Sequence, residues 1–215
     1  MCNRYGYQAP ISRLVGEFTE IGVPFPFRGG AIPNVEPREQ IRPTNEAPVI
    51  RAVDPANPRA GVELAELRWW LIPFFHHGSI KDWKPMCTNA RSETVATTAT
   101  FREPFRRRRC LVPASHFFEW TGPKGEKVMH RFTKTGADLF CFAGLWDRAK
   151  TTDGEVESFT LLTCAPGPDC APYHNRQPVM LERADWMTWL DLSADVAPLL
   201  KAGPVGSISV RPETP

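Results

Sequence analysis

The sequence predicts a single α+β domain, its mostly antiparallel strands curled into a barrel-like core with a few short helices. Three observations lead there. The chain has 215 residues, about one domain and enough to bury a core without disulfides. Proline accounts for 22 of them, and an interior proline costs ~3 kcal/mol in a helix, which excludes a bundle of long helices. Short apolar runs recur between turn residues, many with the alternation of half-buried strands. With 42% hydrophobic and 23% charged residues, the composition excludes a disordered chain.

The elements follow in order. Residues 24–60 hold eight prolines and little periodicity, and read as a long surface loop of the kind that carries function. Leu67–Ile72 is an aromatic and apolar strand that stops at Pro73. Cys110–Pro113 and His116–Trp120 form a pair of short strands broken at Ala114 and Ser115, and Thr121-Gly-Pro-Lys-Gly is a hairpin turn. Val128–Thr133 alternates, while Leu139–Trp146 and Phe159–Cys164 read as buried strands. A helix is expected to start in Ser92–Thr97. In Arg183–Leu192, Trp186, Trp189 and Leu190 share one apolar face of a second, short helix. There are no repeats and no linker, so one domain spans 1–215, with 193–215 as its C-terminal segment.

Charge is informative by location. Arginine (19) far outnumbers lysine (7), and Pro85–Arg148 carries net +5 against −4 for Ala149–Pro215. An arginine-rich middle suits bidentate phosphate contacts and is a nucleic-acid footprint, although a solvated basic face is the alternative. Arg106–Arg109 can equally guard the following strand against aggregation. No apolar run reaches the ~18 residues a membrane helix needs, and no secretory signal is visible. An intracellular, cytoplasmic protein without membrane contact is expected. Its six cysteines are expected reduced, with Cys110 and Cys141 as core residues. Cys164, Cys170 and His174 lack the paired spacing of a zinc site, so no metal and no cofactor is expected.

Cys2 has chemistry that internal cysteines lack. When Met1 is removed, the α-amine and the thiol sit on adjacent carbons. The amine (pKa ~7.7–8.0) keeps an appreciable neutral fraction near pH 7 that condenses with an aldehyde, and the thiol (pKa ~8.5) then closes a thiazolidine. Three further clusters accompany it: Thr88-Asn-Ala-Arg-Ser-Glu-Thr94, Arg109-Cys-Leu-Val-Pro-Ala-Ser-His-Phe-Phe-Glu-Trp120, and Thr163-Cys-Ala-Pro with Tyr173-His-Asn-Arg-Gln-Pro-Val-Met180. With Met1-Cys-Asn-Arg-Tyr5, Arg42-Pro-Thr-Asn-Glu-Ala-Pro-Val49 and Arg68-Trp-Trp-Leu-Ile-Pro73, the chain resembles the SRAP family of SOS response-associated peptidase domains from Cys2 to about Leu190. It departs from the family's usual residues in having Asn3 and Trp70 in place of glycines, and His116-Phe-Phe in place of Gly-Phe-Tyr before Glu119.

The resemblance implies a sensor that traps abasic sites in single-stranded DNA as a thiazolidine crosslink through Cys2. It also implies association with the nucleoid when the DNA is damaged. Asn89 would hold the N-terminal residue, Glu119 would orient or deprotonate the amine, and His174 would be the general acid in sugar ring opening. Arg4, Arg91 and Arg176 would contact phosphates, Trp69 and Trp70 would stack on bases, and Pro43 and Thr44 would wedge the strand. The expected partner is single-stranded DNA, bound by a monomer. Two other readings stay open. One is a cysteine peptidase or amidohydrolase that includes self-removal of Met1. The other is a non-covalent reader of modified bases.

Overall fold

A computed structural model of the chain describes residues 2–27 and 35–213. Its strands are β1 (Tyr5–Tyr7), β2 (Arg38–Ile41), β3 (Glu46–Ala52), β4 (Val62–Trp69), β5 (Asn89–Arg91) and β6 (Arg109–Ala114). They continue with β7 (His116–Thr121), β8 (Val128–Lys134), β9 (Phe140–Thr151), β10 (Gly154–Cys164), β11 (Gln177–Pro178), β12 (Met180–Leu181) and β13 (Ile208–Glu213). The α-helices are α1 (Ile11–Glu20), α2 (Arg102–Arg107) and α3 (Trp186–Leu190).

Five strands close on themselves. The order β10-β4-β3-β6-β9 returns to β10 through the long β9–β10 hairpin, and only the β4–β10 seam is parallel. A closed ring leaves no open edge among its members. A second, antiparallel sheet of five strands, β13-β8-β7-β1-β2, packs against it. Tyr5 and Phe117 from this sheet meet Phe142 of β9 edge-to-face, at 5.9 and 6.0 Å. The core is rich in Trp and Phe as expected, with Trp69, Trp186 and Trp189 fully buried.

The proline-rich loop is a misreading. Residues 24–60 contain β2 and β3, and β3 is a barrel strand with Val49 and Ile50 buried. Proline hides it because Pro48 is harmless there. The Trp69 amide donates to Asn45 and the Val53 amide to Gly61 across β3–β4. The odd-numbered positions therefore bond to β4, and Pro48 turns its missing N–H away from it, where β6 pairs only at Ile50. Pro33 and the rest of 28–34 lie outside the described residues, as do Met1 and 214–215.

Other boundaries also shift. The Leu67–Ile72 strand begins at Val62 and ends at Trp69, because Trp70 takes a positive φ of 134°. Ser92–Thr97 forms turns instead of a helix. The Thr97 and Thr98 hydroxyls donate to the Thr94 carbonyl at 3.2 and 2.9 Å, satisfying it locally. The 193–215 segment ends in β13, paired with β8. Helix α1 buries Ile11, Leu14 and Phe18 on one face, a periodicity present in the sequence.

Candidate active site

The site lies where the two sheets meet, and β5 begins it. This short strand runs parallel to the C-terminal end of β10, with Asn89 opposite Leu161. Asn89 Nδ2 donates to the Cys2 carbonyl at 2.9 Å and to Thr88 Oγ1 at 3.1 Å. Thr88 Oγ1 in turn donates to Asn3 Oδ1 at 3.3 Å, so the asparagine standing in a usual glycine position becomes an anchor. Cys2 is 1% exposed. Burial pushes its thiol well above the ordinary range, and the Glu119 carboxylate nearby adds to the shift.

Glu119 comes from β7, which pairs with β1 and extends that pairing through a bond from the Phe118 amide to the Arg4 carbonyl. The carboxyl is buried, and its desolvation raises its pKa while the adjacent His174 opposes the rise. His174 Nε2 lies 3.9 Å from Glu119 Oε2. On its other side, Nδ1 sits 3.0 Å from the Arg176 amide nitrogen and 2.9 Å from its carbonyl oxygen. The four expected catalytic residues thus converge from the N-terminus, β5, β7 and the loop after β10. A thiol, a buried carboxyl and an imidazole in this arrangement can move protons at one small reaction centre.

The expected DNA contacts divide. Arg91 is exposed on β5 beside the site. Arg4 lies over the Trp120 ring at 4.7 Å and is partly buried. Arg176 is committed inside the protein. Its guanidinium donates to both Glu93 oxygens at 2.6 and 2.9 Å and to the Thr163 carbonyl at 2.6 Å, which fixes the His174 loop. Trp69 is a correction, since it is fully buried. Its indole N–H donates to the Thr88 carbonyl and its ring stacks on Phe159, so it offers no face to a base. Trp70 is half-buried, its indole N–H donating to the Pro85 carbonyl at 3.0 Å.

Arg42-Pro43-Thr44-Asn45 is a tight turn closed by an Asn45 N–H to Arg42 carbonyl bond at 3.0 Å. Proline suits its second position, but the third demands a positive φ, and Thr44 adopts 77°. Residue-type reasoning missed Thr88, Glu93 and Trp120 as supports. The first two flank Asn89 within one motif, and Trp120 follows Glu119, so proximity was the available signal. No cluster of three metal-binding side chains occurs among the described residues.

A family model described as SOS response associated peptidase (SRAP) matches residues 1–212. Abasic site processing protein YobE of Bacillus subtilis (strain 168) is 33% identical over 159 residues, covering 72% of this chain and 71% of that one. Abasic site processing protein YoqW of the same organism is 31% identical over 195 residues, covering 89% and 80%. A crystal structure of a protein from Bacteroides thetaiotaomicron shares the fold with a TM-score of 0.80 at 22% identity, covering 98% and 91%.

Proposed function

Because the chain belongs to the SOS response associated peptidase family, we propose that it senses abasic sites in single-stranded DNA and traps them covalently through Cys2. The abasic-site names of its relatives support the substrate class. The observation that carries the residue-level reading is the convergence of Cys2, Asn89, Glu119 and His174. Once Met1 is removed, the α-amine of Cys2 attacks the aldehyde carbon of the ring-opened sugar. Water leaves and an imine forms. The thiol then adds its sulfur to that carbon and its proton to the nitrogen, closing a thiazolidine. No electrons change hands, so no redox partner is needed.

Each side chain has a role that fits its surroundings. Burial raises the pKa of the Cys2 thiol, so its proton has to leave the sulfur as the sulfur adds to the imine carbon. Glu119 is placed to accept a proton from the ammonium form of the amine, and its burial makes it a stronger base than an exposed glutamate. His174 supplies a proton to the sugar oxygen as the ring opens. Asn89 holds the Cys2 carbonyl and thereby aims the nucleophile. Arg91 and Arg4 face the strand, while Pro43 and Thr44 wedge beside the gap, where no base has to be unstacked.

Intact-mass measurement after incubation with abasic single-stranded DNA tests the reading. The expected product is a heat-stable adduct of protein plus DNA minus water. An extra residue kept in front of Cys2 turns the amine into an amide and should leave DNA binding without the stable adduct. The same adduct from that extended chain would rule out the aminothiol mechanism.

A further inference from the structure

We propose that His130 is a positioning residue of the reaction centre, seating Tyr173 so that the adjoining His174 imidazole is held against Glu119. The inference rests on the reading above for the reaction that His174 serves. Strands β7 and β8 pair with Glu119 directly opposite His130. Opposed residues of an antiparallel pair project from the same face, with their Cβ atoms ~4.5–5.5 Å apart. The buried Glu119 and the half-buried His130 are therefore neighbours on one face of the second sheet.

Two positions along β8, Phe132 lies on that same face, opposite Phe117 and stacked on it at 4.7 Å. The Tyr173 ring packs on both β8 side chains, 4.8 Å from His130 and edge-on to Phe132 at 5.5 Å. Tyr173 belongs to the loop after β10, where its amide and that of His174 both donate to the Cys170 carbonyl, at 2.9 and 3.0 Å. The turn is tight, so a shift of the Tyr173 ring carries His174 with it. The Arg176 bonds to Glu93 and Thr163 tie this loop to the first sheet. The Tyr173 contact ties it to β8, the strand paired with β7, beside Glu119 itself.

The 3.9 Å separation of His174 Nε2 from Glu119 Oε2 thus has two supports. The backbone of Arg176 at Nδ1 sets how the His174 ring is turned. The seat of Tyr173 on His130 and Phe132 sets how far the loop stands from the sheet that carries Glu119. His130 is itself anchored, its Nε2 hydrogen-bonded to Thr121 Oγ1 at 2.7 Å. Its Nδ1 is buried without a hydrogen-bond partner among the described residues. One nitrogen fixes the ring and the other gains nothing, which leaves the ring contact with Tyr173 as the interaction the site uses.

The test separates the rate of adduct formation at saturating abasic single-stranded DNA from the affinity for a stable abasic analogue. His130→Ala should slow the adduct ~10-fold, as a displaced catalytic group does, while the dissociation constant stays within ~2-fold. His130→Phe keeps a ring without the nitrogens and should recover most of the rate. Tyr173→Leu removes the other ring of the contact and should reproduce the slowing from the loop side, without a change in the sheet. In a His174→Ala background, His130→Ala should slow nothing further, because its effect runs through His174. Equal slowing with and without His174, or no recovery in His130→Phe, would overturn the proposal. NMR relaxation of the His174 side chain reads the same link without the chemistry: its mobility should rise in His130→Ala and return in His130→Phe. That pattern in a protein whose wild type forms no adduct would overturn the Cys2 chemistry and leave the seating of His174 standing.

Discussion

Two glutamates in this molecule, Glu157 half-buried and Glu119 buried, are treated oppositely. Glu157, on β10, receives guanidinium bonds from Arg51 at 3.0 Å and Arg148 at 2.7 Å, and these hold its carboxyl below the ordinary range against the cost of burial. Arg51 also pairs with Glu63 at 2.6 Å and lies over Trp146 at 4.4 Å. Glu119 is buried at the proposed reaction centre with the His174 imidazole at 3.9 Å, and desolvation raises the pKa of its carboxyl. A carboxylate saturated with strong donors stays ionised and serves structure. One whose pKa is raised by desolvation keeps its proton to higher pH, as general acid–base work requires.

Variants at the two ends should separate chemistry from stability, and Cys2→Ala has the largest effect. It should abolish the denaturation-resistant adduct completely while non-covalent binding to single strands stays within a few-fold. Adduct retained by this variant would point to another nucleophile. His174→Ala should slow adduct formation by ~10-fold or more, with full yield at long times. A normal initial rate with reduced final yield would instead assign His174 a structural task.

At the other end, Arg51→Ala should lower unfolding free energy by roughly 1–2 kcal/mol and leave the adduct rate of the folded protein unchanged. The pH dependences should run in opposite senses. Glu157 has a depressed folded pKa, so its stabilisation is present above the unfolded glutamate value of ~4.3 and lost as pH falls through the folded value. Glu119 has a raised folded pKa, so its contribution is greatest below ~4.3 and is lost as pH rises through the folded value. Glu119→Gln should therefore gain in denaturation midpoint at pH 7 relative to acid while losing adduct rate. A midpoint gain that does not depend on pH would break the contrast.

The smallest effect is expected at the Pro43–Thr44 turn. Thr44→Gly removes a β-branched side chain from a positive φ and should stabilise the protein by ~0.5–1 kcal/mol. Chemical denaturation would detect it, and a loss of stability would show that the threonine side chain has a compensating contact.

Much of this architecture was legible beforehand because its signals are local. The β6, β7 and β8 strands follow from alternation and from the Gly-Pro-Lys-Gly turn, and α3 follows from the spacing of its tryptophans. Cys2, Asn89, Glu119 and His174 could be singled out as candidates because each lies in a contiguous motif of the family the chain resembles. Strand β3 was not, because whether a proline breaks a strand depends on which way its missing N–H faces, and the neighbouring strands decide that. Side-chain type could not distinguish Trp69, sealed in the core, from Trp70, half-buried. Nor could it foresee that Arg176 would be consumed by Glu93. Residue chemistry determined what this chain can react with. Which groups are buried, paired or left facing the cleft was decided by tertiary packing, because desolvation and partner distance exist only once distant segments have met.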